Sequence, residues 1–571
     1  MKKKIIHILI LASAVALIAL LAASCGQNGV PGTETGAGTS PGTGTSSPDG
    51  PAVITGWFDM GSALYRRDKF KPGSADSVAV DMAKNEMEGF QYLLTSDRDV
   101  DGLRCDVTVL KDPAGNELTG TVNVVYYSFL RKTDATHLRG FYPVAMLPID
   151  DEFVGGTFDV AANTCRTVYV QFRTTADTVP GIYTGKLTVS RDGEQIASGD
   201  VSVKVRNVLY DEKTECLTFF GLGYDKEDMN ELVGRGPESA PPLGHQQQGG
   251  AWDRQVFLDY VDFLLDNRFC PSLPFEKGLL EDDFDLVKKY FDNPRLTTAG
   301  LPQNNLEKQY EIAAENGWLD KIYFGSFDEP HEEWHMQTIV KNSLAVSRSF
   351  PTTHFLDAFY MDLPLGGKNI IDRMSEYSTV YCPKVDFFQG YIRDSILKLK
   401  AERGDTIIWY NCGEASYNTI NMLPCTPGTD KRLLFWQQYQ QNVDGYLYWR
   451  VTFWNNSLDV WAPDYMKTMI ESEPLPRSTD APYDDGVLIY WHPVTGAPVP
   501  TIGFEAVRDG IEDFQLLRMA ERALGREKVL EFAEQLTTDV TEFVKYNEGS
   551  TEKLYGLRSQ IFDLLESAQT A

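Results

Sequence analysis

The sequence predicts a multidomain β plus α/β protein: an N-terminal antiparallel β-sandwich, then a (β/α)8 TIM-like barrel, then C-terminal helices. Three observations carry this reading. From about Pro51 to Leu209, short runs alternate apolar and polar residues between turn signals, the pattern of half-buried antiparallel strands. From about Cys216 the rhythm changes to strand, helix, strand, which a parallel sheet wrapped by helices requires. Within it, KIYFGSFDEP (Lys321–Pro330) runs an aromatic strand into two adjacent carboxylates, Asp328 and Glu329, before Pro330 stops the strand. Barrel enzymes carry their chemistry where strands end and helices begin.

The chain has 571 residues, 42% apolar and 23% charged. That is ample material for several packed units. Its formal net charge of −28 repels phosphate backbones and argues against a nucleic-acid partner.

Residues 1–24 read as a lipoprotein signal peptide. Lys2–Lys4 are basic, Ile5–Leu21 are apolar, and Ala22-Ala23-Ser24 precedes Cys25. Cys25 is the expected lipidation site, giving a membrane-anchored, extracytoplasmic protein of a bacterial envelope. Residues 25–50 are rich in Gly, Thr, Ser and Pro and form a flexible tether, reaching on the order of 25–30 Å. Seven further cysteines are scattered with no CxxC, so neither a disulfide framework nor a zinc ribbon is expected. An isolated Cys105–Cys165 pair stays open.

The sandwich is assigned to residues 51–209. Thr167–Phe172, Gly181–Ser190 and Val201–Val205 are among its strands, and Asn85–Gln91 (NEMEGFQ) leads into another. The barrel is assigned to residues 210–484. Its strands are expected at Leu217–Leu222, Phe269–Leu273, Lys321–Phe327, Thr353–Ala358, Thr379–Phe387, Thr406–Asn411 and Val443–Trp449, with one more between Leu279 and Leu296. Helices are expected at Trp252–Asn267, Asn305–Asn316 and Gly390–Arg403. Residues 485–571 begin with a strand at Val487–Trp491 and continue as helices, including Thr501–Leu524 and Lys528–Tyr546. Arg508 and Glu512 are spaced for an i,i+4 ion pair.

Asp328 and Glu329 are the candidate catalytic pair. One would donate a proton and the other would act electrostatically. Equally, Asp, Glu and Pro suit the first turn of a helix. Neighbours on a regular strand face opposite ways, so both serve one site only where the strand has already turned. His331-Glu332-Glu333-Trp334-His335 spells H-E-x-x-H, a zinc-protease signature. Pro330 places His331 in the first helical turn, and Glu333 adds a charge, so no metal is expected. Glu414, after the strand Thr406–Asn411, is a candidate nucleophile partner for Glu329 in a two-carboxylate retaining scheme. Trp409, Tyr410, Trp449, Trp454 and Trp491 cluster at late strand ends. Such rings either stack on sugar faces or fill the core.

Three segments together resemble glycoside hydrolase family 123 and its uncharacterised relatives: NEMEGFQYLL (Asn85–Leu94), GSFDEP (Gly325–Pro330) and FEAVRDGIEDFQLL (Phe504–Leu517). Gly503 stands where relatives usually carry arginine, and Trp491-His492-Pro493 replaces a commoner Pro-Gly turn. The resemblance implies a sandwich followed by a (β/α)8 barrel. It implies retaining hydrolysis of β-linked N-acetylhexosaminides, N-acetylgalactosamine above all, with the substrate's 2-acetamido oxygen as nucleophile. Substrate assistance is a recognised exception to the two-carboxylate scheme. Glu329 is then the general acid/base, Asp328 orients the acetamide, and Tyr410 is its partner by analogy. Trp409, Trp449, Trp454 and Glu414 are expected to touch substrate. The expected partners are a glycan and, through Cys25, a membrane, with no cofactor and no protein partner. The competing readings are the two-carboxylate glycosidase and a non-catalytic glycan-binding surface lipoprotein.

Overall fold

The structure, a computed structural model, describes residues 51–60, 65–130, 140–222, 254–352, 354–362, 368–412, 419–452, 460–461 and 486–570. Cys25, the tether, Glu414 and Trp454 lie outside the described residues. Ala52–Ala571 forms one compact unit. Among the described residues no helix is long and apolar enough to cross a membrane.

Strands β1 (Ile54–Met60), β2 (Ser77–Lys84), β3 (Met87–Ser96), β4 (Val100–Val107), β5 (Leu110–Lys111), β6 (Glu117–Leu118), β7 (Gly120–Leu130), β8 (Gly140–Pro148), β9 (Phe158–Val160), β10 (Cys165–Arg173), β11 (Gly181–Arg191) and β12 (Glu194–Leu209) build two sheets. One runs β1-β3-β10-β7-β8, the other β2-β12-β11-β4-β9, with β5 and β6 on the flank of β11. Pairing is antiparallel except between β2 and β12, which run parallel. Alternating residues such as Phe90, Tyr92 and Leu94 on β3, and Val201, Val203 and Val205 on β12, share one apolar core. Cys105 and Cys165 are both free and buried and belong to different apolar clusters.

The α/β part carries strands β13 (Leu217–Phe220), β14 (Ala299–Gly300), β15 (Ile322–Tyr323), β16 (Ala358–Phe359), β17 (Val380–Pro383), β18 (Thr406–Asn411) and β19 (Gly445–Tyr448). The ladders make a five-stranded parallel sheet, β13-β19-β18-β17-β16, and a parallel pair, β14-β15. Single parallel bridges, Phe324 to Phe355 and Phe220 to Pro271, extend them. Among the described residues no ladder joins Pro271 to β14, so the hydrogen bonds do not draw a continuous eight-stranded cylinder. The stretch Leu279–Leu296, expected to hold a strand, contains a helix instead. Asp283 caps it and its apolar residues Val287, Tyr290 and Phe291 are buried along one side; the short strand lies just beyond, at β14.

The helices are α1 (Arg254–Asp266), α2 (Phe284–Phe291), α3 (Leu306–Asn316), α4 (Glu333–Ser349), α5 (Gly390–Arg403), α6 (Gly428–Gln440), α7 (Ile502–Leu524), α8 (Arg526–Ala533) and α9 (Ser550–Thr570). The parallel strands have two apolar faces. Tyr323, Val380, Cys382, Ile408 and Tyr410 form an inner cluster, while Ile322, Tyr381, Ile407 and Trp409 pack outward with the helices. After β19 come a short antiparallel pair, β20 (Ile489–Trp491) with β21 (Pro498–Pro500), and α7, whose Thr501 cap accepts from Phe504 N. Residues Lys528–Tyr546, expected to be helical, split. The helix stops at Ala533, and β22 (Thr537–Asp539) and β23 (Glu542–Phe543) make a hairpin. The β-branched run Thr537, Thr538, Val540, Thr541 disfavours helix and favours extended backbone.

Two of the segments carrying the family resemblance meet where the sandwich joins the α/β part. Six carboxylates (Glu86, Glu88, Glu505, Asp509, Glu512, Asp513) and four guanidinium groups (Arg268, Arg432, Arg508, Arg558) are buried there, none more than 3% exposed. Arg432 Nη2 donates to Glu88 Oε2 and Asp513 Oδ1, both at 2.9 Å. Arg558 Nη1 reaches Glu88 Oε2 at 2.9 Å. Arg508 contacts Glu505, Asp509 and Glu512. Burial holds Glu86, Asp509 and Glu512 above the usual carboxylate range. Burial also pushes Asp513 up, but Arg432 and Arg558 outweigh it and leave that carboxyl below the range. Gly510 lets α7 lie against α6, since a Cβ there would meet Phe435 Cδ2 at 2.3 Å. The charges in both segments are thus structural, tying β3 to α6, α7 and α9.

Candidate active site

The site is built on the exit from β15. Phe324 N donates to His354 O at 3.0 Å and Leu356 N returns to Phe324 O at 2.8 Å, so the ladder continues for one residue pair beyond β15. There it stops. The next two amides, Ser326 N and Phe327 N, turn to a side chain, Asp357 Oδ1, at 2.6 and 3.1 Å. Glu329 N then donates to Ala358 O at 3.0 Å. Asp328 and Glu329 therefore stand on a turn, free of strand alternation. Glu329 adopts a left-handed backbone with φ 48°, uncommon for a side chain of its size and a conformation that collects at functional sites.

The turn leads into α4 through a cap. Glu332 is the N-cap residue, and His335 Nδ1 accepts from His331 N at 3.1 Å and Glu332 N at 3.2 Å. Burial, then the neighbouring His331, holds the His335 imidazole below its ordinary value. The H-E-x-x-H spelling thus serves as a helix start, with one ring nitrogen engaged by backbone.

Glu329 reaches across the mouth of the parallel sheet. Its Oε1 accepts from Tyr410 Oη at 2.5 Å and from Cys412 Sγ at 3.6 Å. Both donors come from the inner face of β18 and the residue beyond it. Burial, followed by the bond to Glu329, pushes the Tyr410 phenol up. Asp328 is surface-accessible yet surrounded by protein, as befits a group in a concave mouth. Burial, then the charge of Glu329, raises its carboxyl above the usual range. Tyr360, directly after β16, feels the same Glu329 charge.

A cavity of about 480 Å³ opens at the ends of β13, β14 and β19, lined by residues that include Phe219, Pro271, Phe275, Glu276, Leu301 and Trp449, while Asp328, Glu329 and Tyr410 are not among its lining residues. Phe219 also touches the inner cluster that holds Tyr410. Gly221 permits the close approach of β13 to the chain at Trp449; a Cβ there would lie 1.8 Å from Trp449 O.

Asp328, Glu329 and Tyr410 come together in this mouth, and Trp449 lines the cavity at the ends of β13, β14 and β19. Trp409 does not join them. It is fully buried on the outward face of β18 and meets Phe388 edge to face, because its position alternates with that of Tyr410. Trp491 is also buried. Tyr410 is engaged with Glu329 in this structure, where the resemblance implies a bond to the substrate amide. Several residues at the mouth were not singled out from the sequence. Asp357 is one; FLDAF (Phe355–Phe359) has a carboxylate at a strand end, as GSFDEP does. Tyr360, directly after β16 and 37% exposed, is another.

Residues 302–520 match the sequence model of the glycoside hydrolase 123 catalytic domain. The chain resembles glycoside hydrolase family 123. The domain match indicates a glycoside hydrolase acting in carbohydrate metabolism. A solved family 123 glycoside hydrolase from Clostridium perfringens, studied for glycolipid glycan hydrolysis, superposes with a TM-score of 0.62 at 12% identity, over 91% of this chain and 99% of that one. That similarity shows a shared fold across nearly the whole molecule. A family 39 glycoside hydrolase from Bacteroides cellulosilyticus WH2 gives 0.25 at 10% identity, over 72% and 80% of the two chains. A Bacteroides ovatus family 5 xyloglucanase gives 0.24 at 9% identity, over 76% and 98%. No curated protein matches the sequence.

Proposed function

We propose that this protein is a retaining glycoside hydrolase for β-linked N-acetylhexosaminides, preferring N-acetylgalactosamine, that uses the substrate's own acetamide as nucleophile. The observation carrying this is the turn that brings adjacent Asp328 and Glu329 to one mouth. Adjacent carboxyls suit one acid and one amide-orienting group. Glu329 protonates the leaving oxygen, then activates water; Asp328 orients the acetamide and stabilises the positive charge it acquires. With Oε1 of Glu329 engaged by Tyr410, Oε2 is the oxygen left to carry the proton. Tyr410 therefore holds the acid in place, and Trp449 offers an aromatic wall to the sugar. The same reading takes the parallel strands as a (β/α)8 barrel and Trp454 as a further sugar contact.

The test is hydrolysis of aryl β-N-acetylgalactosaminide and β-N-acetylglucosaminide side by side, with a thiazoline mimic of the cyclised intermediate as inhibitor. Turnover blocked by the thiazoline supports the reading. Turnover insensitive to it favours the scheme that uses Glu414 as nucleophile, and sugar binding without turnover favours a glycan-binding protein. We also place the protein in the bacterial envelope, anchored through lipidated Cys25, on the strength of the basic, apolar and Ala-Ala-Ser-Cys sequence. Cys25→Ala should move the protein from the detergent phase to the aqueous phase; continued partition into detergent would reject the anchor.

A further inference from the structure

The turn bearing Asp328 and Glu329 has left its strand ladder, and what replaces the ladder is one side chain. Phe324 pairs with the backbone at His354 and Leu356, and Glu329 N returns to the backbone at Ala358. Between them, Ser326 N and Phe327 N both donate to Asp357 Oδ1. Two successive backbone amides aimed at one oxygen set the direction in which the chain leaves the strand. The next two residues are Asp328 and Glu329.

The other carboxyl oxygen behaves differently. Asp357 is 2% exposed, and its Oδ2 is buried with no hydrogen-bond partner among the described residues. A buried carboxylate oxygen without a partner is costly, and a charged one more so. The groups that act on this carboxyl, or on which it acts, are Asp328 on the turn, Tyr377 before β17 and Cys382 on β17. None of them supplies a positive charge. Burial, with a further push from Asp328, raises the carboxyl to about 6 against the pull of the two amides.

We propose that Asp357 is the positioning residue of the catalytic turn: it takes the place of the missing ladder through Oδ1 and sets where Asp328 and Glu329 stand. This rests on the reading of those two residues as the reacting pair.

The test compares Asp357→Asn with Asp357→Ala. Asparagine keeps an oxygen for both amides; alanine removes the clamp. With the aryl N-acetylhexosaminide that the native enzyme turns over, Asp357→Ala should lose on the order of 100-fold in kcat, the scale of a small misplacement of reacting groups. KM should stay within about threefold, because binding contacts are untouched. Asp357→Asn should recover most of the kcat. Amide exchange of the 324–329 segment, read by mass spectrometry, should quicken in the alanine variant and stay slow in the asparagine variant. Native kcat in Asp357→Ala, or unchanged exchange there, overturns the clamp. Loss in Asp357→Asn as deep as in alanine overturns the assignment of the clamp to Oδ1. The exchange measurement needs no substrate, so it decides the clamp even where the native protein fails to cleave either sugar, an outcome that would reject the functional reading instead. Should the alanine variant not fold, asparagine rescue and its exchange still decide.

Discussion

Tyr410 Oη and Glu329 Oε1 lie 2.5 Å apart, joining β18 to the turn after β15 across the mouth of the parallel sheet. The bond commits one carboxyl oxygen as an acceptor and fixes the side chain whose other oxygen faces chemistry. Preorganised acids are worth more than mobile ones, because reacting atoms need no search.

Tyr410→Phe should therefore slow turnover most for substrates with poor leaving groups, which depend on the proton. The expected loss is smaller than that of Glu329→Gln, which removes general acid catalysis worth about 10²–10⁴-fold. A leaving-group series measured on both variants checks this. A uniform loss for Tyr410→Phe across the series would mean that the tyrosine serves the sugar rather than the acid.

Asp328→Asn should cost on the order of 10²–10³-fold in kcat on 2-acetamido substrates, the scale of losing one electrostatic stabiliser. It should also weaken thiazoline binding. Because burial and Glu329 raise the Asp328 carboxyl, that group takes up its proton at a higher pH than an ordinary aspartate. The acid limb of the kcat profile should lie correspondingly high in the native enzyme. An acid limb in the ordinary aspartate range would show that the Asp328 carboxyl is not raised in the working enzyme.

Stability should fall as pH rises from about 4 to 7. Burial pushes Asp59 and Asp357 to about 6 and Asp430 to about 7. The fold prefers their protonated forms, so their contribution is complete below about 4, the unfolded value, and is lost as pH climbs through 6 and 7. Lys431, pushed by burial down to about 8, acts above this window. Thermal unfolding midpoints across the range should show the decline, and Asp430→Asn should flatten it.

Arg432→Met should destabilise by about 3–5 kcal/mol, the cost of stranding buried carboxylates by removing their partner. Pairing it with Glu88→Gln should recover part of the loss, since the two residues share one network. Denaturant unfolding of the single and double variants measures the coupling; strictly additive losses would show that Arg432 and Glu88 are energetically independent.

Trp449→Ala and Trp409→Ala should fail in different ways. Trp449 lines the cavity and is 37% exposed, so its loss should raise KM with little effect on folding. Trp409 is buried, so its loss should cost about 3–5 kcal/mol of stability and leave KM of the folded fraction near native.

Periodicity and motif spelling made much of this protein legible. The strand at Thr406–Asn411 and the helix at Gly390–Arg403 fall where the pattern puts them, because alternation and helical repeat are local properties of the chain. KIYFGSFDEP marked the end of a parallel strand and its two carboxylates for the same reason. Other features were beyond local reading. The charges of NEMEGF and EAVRDGIEDF look like surface charges until β3, α6, α7 and α9 bury them together. Trp409 and Tyr410 look alike as neighbours, and the pleat sends them to opposite faces. Asp357 lies 30 and 31 residues along the chain from the two amides it holds, so its role exists only once two strands lie side by side. The sequence by itself determined most of the segments that extend or coil, though not those at Leu279–Leu296 and Lys528–Tyr546, and which residue types stand at the strand ends. Tertiary structure decided which of those side chains share a mouth, because hydrogen bonds and burial between distant segments depend on packing rather than on order along the chain.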